Sequence, residues 1–232
     1  MPLKSVYLPD PALQNDRIRI TDEEHRHLVV TRAEKDEPIE IFDGRGNVWS
    51  ASVESVGKRE TVAIVRGSRR ESPPPFELIL GQAMIRVAAF EMALEKAVEV
   101  GVTRIVPFMA ARSNLAPGGR HERWCRILVE AAKQSKRYYL PALTLPLTFE
   151  QVLSISAKSK IMFAERGGGP LKSALAGSPV LFLIGPEGGW TDTELAEARD
   201  NGFHAVSLGE GILKAETAAI VGASLIRYEL GK

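Results

Sequence analysis

Val180-Leu-Phe-Leu-Ile-Gly-Pro-Glu-Gly-Gly-Trp190, answered by Ser207-Leu-Gly-Glu-Gly-Ile-Leu-Lys-Ala-Glu-Thr217, is the stretch from which the rest of this 232-residue chain can be read. The five residues from Val180 form an unbroken apolar run, the mark of a strand buried on both faces. The run stops at Gly185-Pro186, where proline removes a ladder donor and glycine opens backbone angles closed to other residues. Thr191 and Glu194 then stand at capping-box spacing and open a helix that ends at Gly202. The second stretch repeats the device: a strand over 204–208, a loop holding Gly209 and Gly211, and a final helix over 215–230. Together these put main-chain amides at the carboxyl edge of a parallel sheet, where open α/β sheets bind small molecules.

The loops exclude two common ligand classes. A triphosphate-binding loop needs G-x-x-x-x-G-K-[S/T], which neither loop supplies, and a dinucleotide fingerprint fails because Lys214 stands where its third glycine belongs. Doubly wound nucleotide domains also place their glycine loop early, whereas these come last. At 44% hydrophobic residues the chain can bury one large core or two small ones. No apolar run approaches the roughly 18 residues of a membrane span, and the first residues lack signal-peptide architecture. A single cysteine, Cys125, reads as a small core residue and excludes an intramolecular disulfide, so a reducing cytoplasm is expected. A net charge of +1 argues against a strongly basic nucleic-acid binder, so any RNA contact must come from local patches.

Residues 1–71 read as β-rich, with a short alternating strand at Ile18-Arg-Ile20 and a capping box at Thr21-Asp-Glu-Glu24. A hairpin loop comes next at Asp43-Gly-Arg-Gly-Asn47, and the whole pattern suggests a small barrel. Ser72-Pro-Pro-Pro75 is a stiff spacer and the domain boundary. Beyond it, strands over 76–84, 103–108 and 160–164 alternate with helices over 88–100 and 120–137, which predicts a parallel α/β sheet over residues 76–232. His25 and His27 have no third ligand nearby, so no metal is expected.

Gly185-Pro-Glu-Gly-Gly189, followed some twenty residues later by Leu208-Gly-x-x-Ile-Leu-Lys-x-Glu-Thr-Ala218, resembles the RsmE family. These are bacterial SPOUT methyltransferases acting on N3 of a uridine in small-subunit (16S) ribosomal RNA. Shorter matches extend the resemblance along the chain. His25-x-x-Leu28-Val-Val-x-Arg32 is similar to the opening of the family's PUA-like barrel, and Glu95-Lys-Ala-Val-Glu-Val-Gly-Val102, Ala111-Arg-Ser113 and Glu130-Ala-Ala-Lys-Gln-Ser-Lys-Arg137 are similar to later elements. Three departures stand out: Val87-Ala-Ala89 where family members often carry a basic residue just before the first helix, and Gly211 and Lys214 where the family has arginines.

The resemblance implies an α/β fold: a C-terminal SPOUT trefoil-knot domain behind an N-terminal PUA-like barrel, paired as a homodimer. It implies S-adenosylmethionine as cofactor, held by Ala164 and Glu165, by Ile184, Gly185, Pro186, Glu187, Gly188 and Gly189, and by Leu208, Gly209, Ile212, Leu213, Lys214 and Thr217. The loop over 165–169 is expected to close over it. Transfer to uridine N3 requires loss of a proton. Arg112 and Arg137 are candidates to favour the N3 anion, and Glu187 or Glu216 to act as base, although each acid also suits a plain structural place beside a helix N-terminus. Arg17, Arg26 and Arg32 of the barrel are candidates for RNA phosphates; the alternative is a solvated face balanced by Glu23, Glu24, Glu34 and Asp36. Naked RNA and the assembled small subunit both remain open as substrate. Two other readings also remain: a SPOUT enzyme acting on a ribose 2′-hydroxyl or another base, and a non-catalytic RNA-binding module.

Overall fold

The computed structural model describes residues 3–113, 118–165 and 167–231. The chain forms two compact units, Met1–Pro73 with Ala132–Leu140, and Pro74–Ala131 with Pro141–Lys232.

The first unit holds β1 (Lys4–Tyr7), β2 (Leu13–Gln14), β3 (Arg17–Ile20), α1 (Asp22–Val30), β4 (Pro38–Phe42), β5 (Asn47–Val56) and β6 (Thr61–Arg70). They form one barrel-like sheet in the order β1-β4-β5-β6-β3-β2, antiparallel except for β1 beside β4. The strand period of two decides which side chains enter the core: in β3, Ile18 and Ile20 are buried while Arg17 and Arg19 face solvent. In the 43–47 loop, the Asp43 carboxylate accepts from the amides of Arg45 (2.7 Å) and Asn47 (3.1 Å), and Gly44 and Gly46 take positive φ. Thr21 is the N-cap of α1 but makes no side-chain cap bond. Its hydroxyl donates instead to Asp22 Oδ2 at 2.8 Å, because Asp22 takes φ 53° and breaks the geometry that the box requires.

The sequence pattern assigns everything past residue 76 to the second domain, and here the structure differs. Residues 132–140 belong to the first unit, so α3 (His121–Ser135) begins in one unit and ends in the other. The return is held by charge. Glu40, only 5% exposed, accepts from Tyr138 Oη (2.8 Å), Arg69 Nη2 (3.0 Å) and Lys136 Nζ (3.2 Å). Buried Lys133 donates to both carboxylate oxygens of Glu24 at 3.2 Å. Deleting residues 1–71 would therefore remove Glu24 and Glu40, the acids that hold Lys133, Lys136 and Tyr138.

The second unit begins with β7 (Leu78–Ala83), α2 (Val87–Val100) and β8 (Arg104–Met109). After α3 come β9 (Ala142–Leu143), β10 (Leu147–Thr148), α4 (Phe149–Leu153), β11 (Ser159–Phe163) and α5 (Leu171–Ala174). It ends with β12 (Val180–Ile184), α6 (Asp192–Asp200), β13 (His204–Val206) and α7 (Ala215–Leu230). The sheet runs β10-β8-β7-β12-β11-β13, with β9 also on β8. Every pair in it is parallel. β7 and β12 are buried along their whole length, as apolar strands covered on both faces must be. The strand expected over 204–208 stops two residues early, because Ser207 turns on itself: its hydroxyl donates to the Gly209 carbonyl at 3.0 Å and accepts from the Gly209 amide at 3.3 Å. The helix expected over 120–137 likewise ends at Ser135, and Lys136 has φ 56°.

The Glu40 cluster yields a pH-dependent prediction. Burial alone would raise the Glu40 carboxyl, but the bonds from Tyr138, Arg69 and Lys136 outweigh it and hold the group below its ordinary 4.5. A depressed folded value means stability that is complete above the unfolded value and disappears as pH falls through the folded one. Denaturant unfolding of Glu40→Gln should show a loss of about 2 kcal/mol at pH 7, shrinking as pH falls below 4.5. A loss that stays constant with pH would count against the charged network.

Candidate active site

In the second unit, the loops that leave β7, β8, β11, β12 and β13 all emerge at the carboxyl edge of the sheet. They line one open cleft of about 790 Å³. β7 delivers Arg86, β8 delivers Arg112, β11 delivers Ala164 and Glu165, β12 delivers residues 184–190, and the chain past β13 delivers 212–216. The size lies within the range of roughly 300–1,000 Å³ usual for small-molecule sites.

Of the residues singled out from the sequence, Ala164, Glu165, Ile184, Gly185, Pro186, Glu187, Gly188, Gly189, Ile212, Leu213 and Lys214 line this cleft, as do Arg112 and Glu216. Leu208, Gly209 and Thr217 are not among its lining residues. The Ser207 hydroxyl donates to the Gly209 carbonyl and accepts from the Gly209 amide. Arg137 belongs to the 132–140 segment of the first unit and does not line the cleft either. Of the 165–169 loop, Arg166 lies outside the described residues. The loop's far end is tied down: the Gly169 amide donates to the Ala205 carbonyl at 3.0 Å, and the Ser207 amide donates to the Gly169 carbonyl at 3.4 Å.

Arg86 is the residue that sequence pattern alone missed. Because α2 starts at Val87, a basic side chain does precede the first helix, and Val87-Ala-Ala89 already lies inside it. Arg86 Nε sits 3.4 Å from Glu187 Oε1, so one of the two candidate bases already has a cationic partner. On the other side of the same loop, Arg112 Nη1 donates to the Gly188 carbonyl at 2.7 Å. A Cβ on Gly188 would meet the Arg112 side chain at 3.2 Å.

Trp190 anchors the loop's end. Its indole donates to the Phe163 carbonyl at 2.8 Å and stacks on Phe108 with centroids 6.1 Å apart. Gly185 is needed for this reason, since a Cβ there would lie 2.8 Å from the indole. The Thr191–Glu194 capping box of α6 is complete, with the side chain of each bonded to the main chain of the other. The barrel arginines are exposed, and Arg17 is engaged by Glu54 at 2.6 and 2.8 Å, a different acid from those expected to balance it.

Gly185→Ala should therefore lower stability by about 2 kcal/mol, as overpacking does. Adding Trp190→Phe should recover part of that loss by removing the ring that the new methyl meets. Thermal melts of the two variants check this; a double variant that melts lower still would place the conflict elsewhere.

The family model described as an RNA methyltransferase domain matches residues 72–227. The ribosomal RNA small subunit methyltransferase E of Synechocystis is 31% identical, over 97% of this chain and 77% of the relative. The protein of that name from Mesomycoplasma hyopneumoniae is 33% identical, over 72% of this chain and 75% of its own. Among solved structures, that of the Neisseria gonorrhoeae ribosomal RNA small subunit methyltransferase E bound to S-adenosyl methionine superposes with a TM-score of 0.91 at 28% identity, covering 97% of both chains. The fold is accordingly the SPOUT α/β fold behind a small barrel-like unit. The chain belongs to the RNA methyltransferase domain family and, within it, to the RsmE family.

Proposed function

We propose that this protein transfers a methyl group from S-adenosylmethionine to N3 of a uridine in small-subunit ribosomal RNA. The observation that carries the reading is convergence: the Gly185–Gly189 loop, the 212–214 segment and the Arg112 guanidinium meet at one cleft on the sheet's carboxyl edge. The cofactor suits the residues there. Glu165 and Glu187 with Arg86 and Lys214 supply both signs of charge that its zwitterionic amino-acid end would need, and the glycines leave main chain open for its neutral parts. Ala164, Glu165, 184–189 and 212–214 are the residues that would hold it. Once bound, it supplies an electrophilic methyl group.

The remaining work falls to the chain itself. Uridine N3 keeps its proton at neutral pH, so a base must take it and a cation must favour the anion left behind. We assign the cation to Arg112, which lines the cleft. Glu187 is paired with Arg86, so we assign the base to Glu216, in the first turn of α7 and on the cleft wall. Arg17, Arg26 and Arg32 on the first unit are assigned to RNA phosphates. We assign the protein to the cytoplasm on the strength of its ribosomal substrate.

We also assign the working form to a homodimer. Leu225 and Tyr228, three residues apart on one face of α7, remain 41% and 66% exposed, the kind of apolar patch that partners cover.

Calorimetry and sedimentation test these assignments. The wild type should bind S-adenosylmethionine, and Glu216→Gln should retain that affinity while its methyl-transfer kcat falls by about a hundredfold. Undiminished turnover in Glu216→Gln would remove it as base, and absence of cofactor binding by the wild type would end the reading. In sedimentation, Leu225→Lys/Tyr228→Glu should run as a monomer where the wild type runs as a dimer; an unchanged distribution would place the interface elsewhere.

A further inference from the structure

Glu194 is the one buried carboxylate among the described residues of the second unit, at 5% exposure, and its two oxygens do separate jobs. Oε2 accepts from the amide of Thr191 at 2.8 Å and from its hydroxyl at 2.9 Å, which completes the helix cap. Oε1 is not needed for capping. It accepts instead at 2.8 Å from the amide of Ala111, a residue 83 positions earlier in the loop after β8. That loop is a tight turn in which the Ser113 hydroxyl accepts from the Ala110 amide at 3.0 Å. The next residue, Arg112, reaches out of the turn to the Gly188 carbonyl.

We infer that Glu194 is a positioning residue for methyl transfer: through the Ala111 amide it orients the 110–113 turn, and with it the Arg112 guanidinium that holds the 185–189 loop and faces the reaction. This rests on the reading of the cleft given above. The physical ground is the low exposure of the carboxylate. A charged acceptor out of water is short of partners, and a main-chain amide bonded to it is held more firmly than by a neutral acceptor. One acidic side chain thus couples the loop ends of two strands, β8 and β12, before any ligand arrives.

The two jobs can be separated by substitution. Glutamine serves at this position of a capping box, as Gln151 does for Thr148 in this same chain. Glu194→Gln can therefore keep its oxygen toward Thr191, but its amide nitrogen then faces the Ala111 N–H, donor against donor. Thr191→Val has the opposite effect: it removes the hydroxyl of the cap and leaves the Ala111 bond.

Hydrogen exchange by mass spectrometry and steady-state methyl transfer read both. For Glu194→Gln, exchange in 109–113 and 185–189 should quicken about tenfold, and kcat should fall about tenfold with the cofactor KM changed less than about threefold. Thr191→Val should melt lower yet keep wild-type exchange in both segments and wild-type kcat. Combined with Arg112→Ala, Glu194→Gln should add no further loss of kcat, because both act through one guanidinium. Wild-type exchange in Glu194→Gln, or losses that multiply in the double variant, would overturn the inference. A protein that binds no S-adenosylmethionine would instead defeat the functional reading, and the exchange of 185–189 would still decide whether Glu194 holds that loop.

Discussion

β12 is hydrogen-bonded on both sides, to β7 and to β11, and every residue from Val180 to Ile184 is buried. A parallel strand enclosed in this way must have its connections at the sheet's two edges, since a polar loop has no place within the layers. The loops after β7, β8, β11, β12 and β13 therefore emerge together at the carboxyl edge. The cleft is a consequence of that constraint. Its main-chain lining comes from the glycines after Ile184, and its charged rim from Arg86 and Arg112 in the loops that leave β7 and β8.

Rigidity at the cleft comes from contacts that cross between these loops. The Trp190 indole ties the end of the β12 loop to the end of β11, Arg112 ties the β8 loop to Gly188, and Arg86 meets Glu187 from the side of β7. Catalysis by alignment needs groups held in place before the reactants meet. In the first unit the comparable device is the Glu40 carboxylate, which gathers Arg69, Lys136 and Tyr138 and brings residues 132–140 onto the barrel-like sheet. Burial, followed by the bond to Glu40, pushes the Tyr138 hydroxyl up to about 12, so that hydroxyl keeps its proton and remains a donor.

Features that depend on neighbours in sequence are legible in the sequence alone. The apolar run of β12, the Thr191 cap and the Gly202 end of α6, and both ends of α7 lie where pattern and capping chemistry put them. The strand period separates Ile18 and Ile20 from Arg17 and Arg19 in the same way. Anything set by distant partners is out of reach. Tyr138 meets Glu40 across 98 residues, Arg112 meets Gly188 across 76, and Glu194 meets Ala111 across 83; periodicity has no access to such pairs. The domain boundary suffers for the same reason, because the 132–140 return is a matter of long-range charge. Arg86 is hidden by a one-residue error in the start of α2. Thr21 shows the converse, a capping box by spacing whose side chain bonds elsewhere.

We assign to this cleft the transfer of a methyl group to the base nitrogen N3 of a ribosomal uridine. The most direct measurement is nucleoside mass spectrometry of ribosomal RNA from small subunits incubated with the purified protein and methyl-labelled S-adenosylmethionine. The label should appear in 3-methyluridine, at a single site, and should disappear when Arg112 is replaced by alanine. Label in a 2′-O-methylated nucleoside, or in no nucleoside at all while cofactor binding is intact, would show that the cleft does not direct methyl transfer to N3.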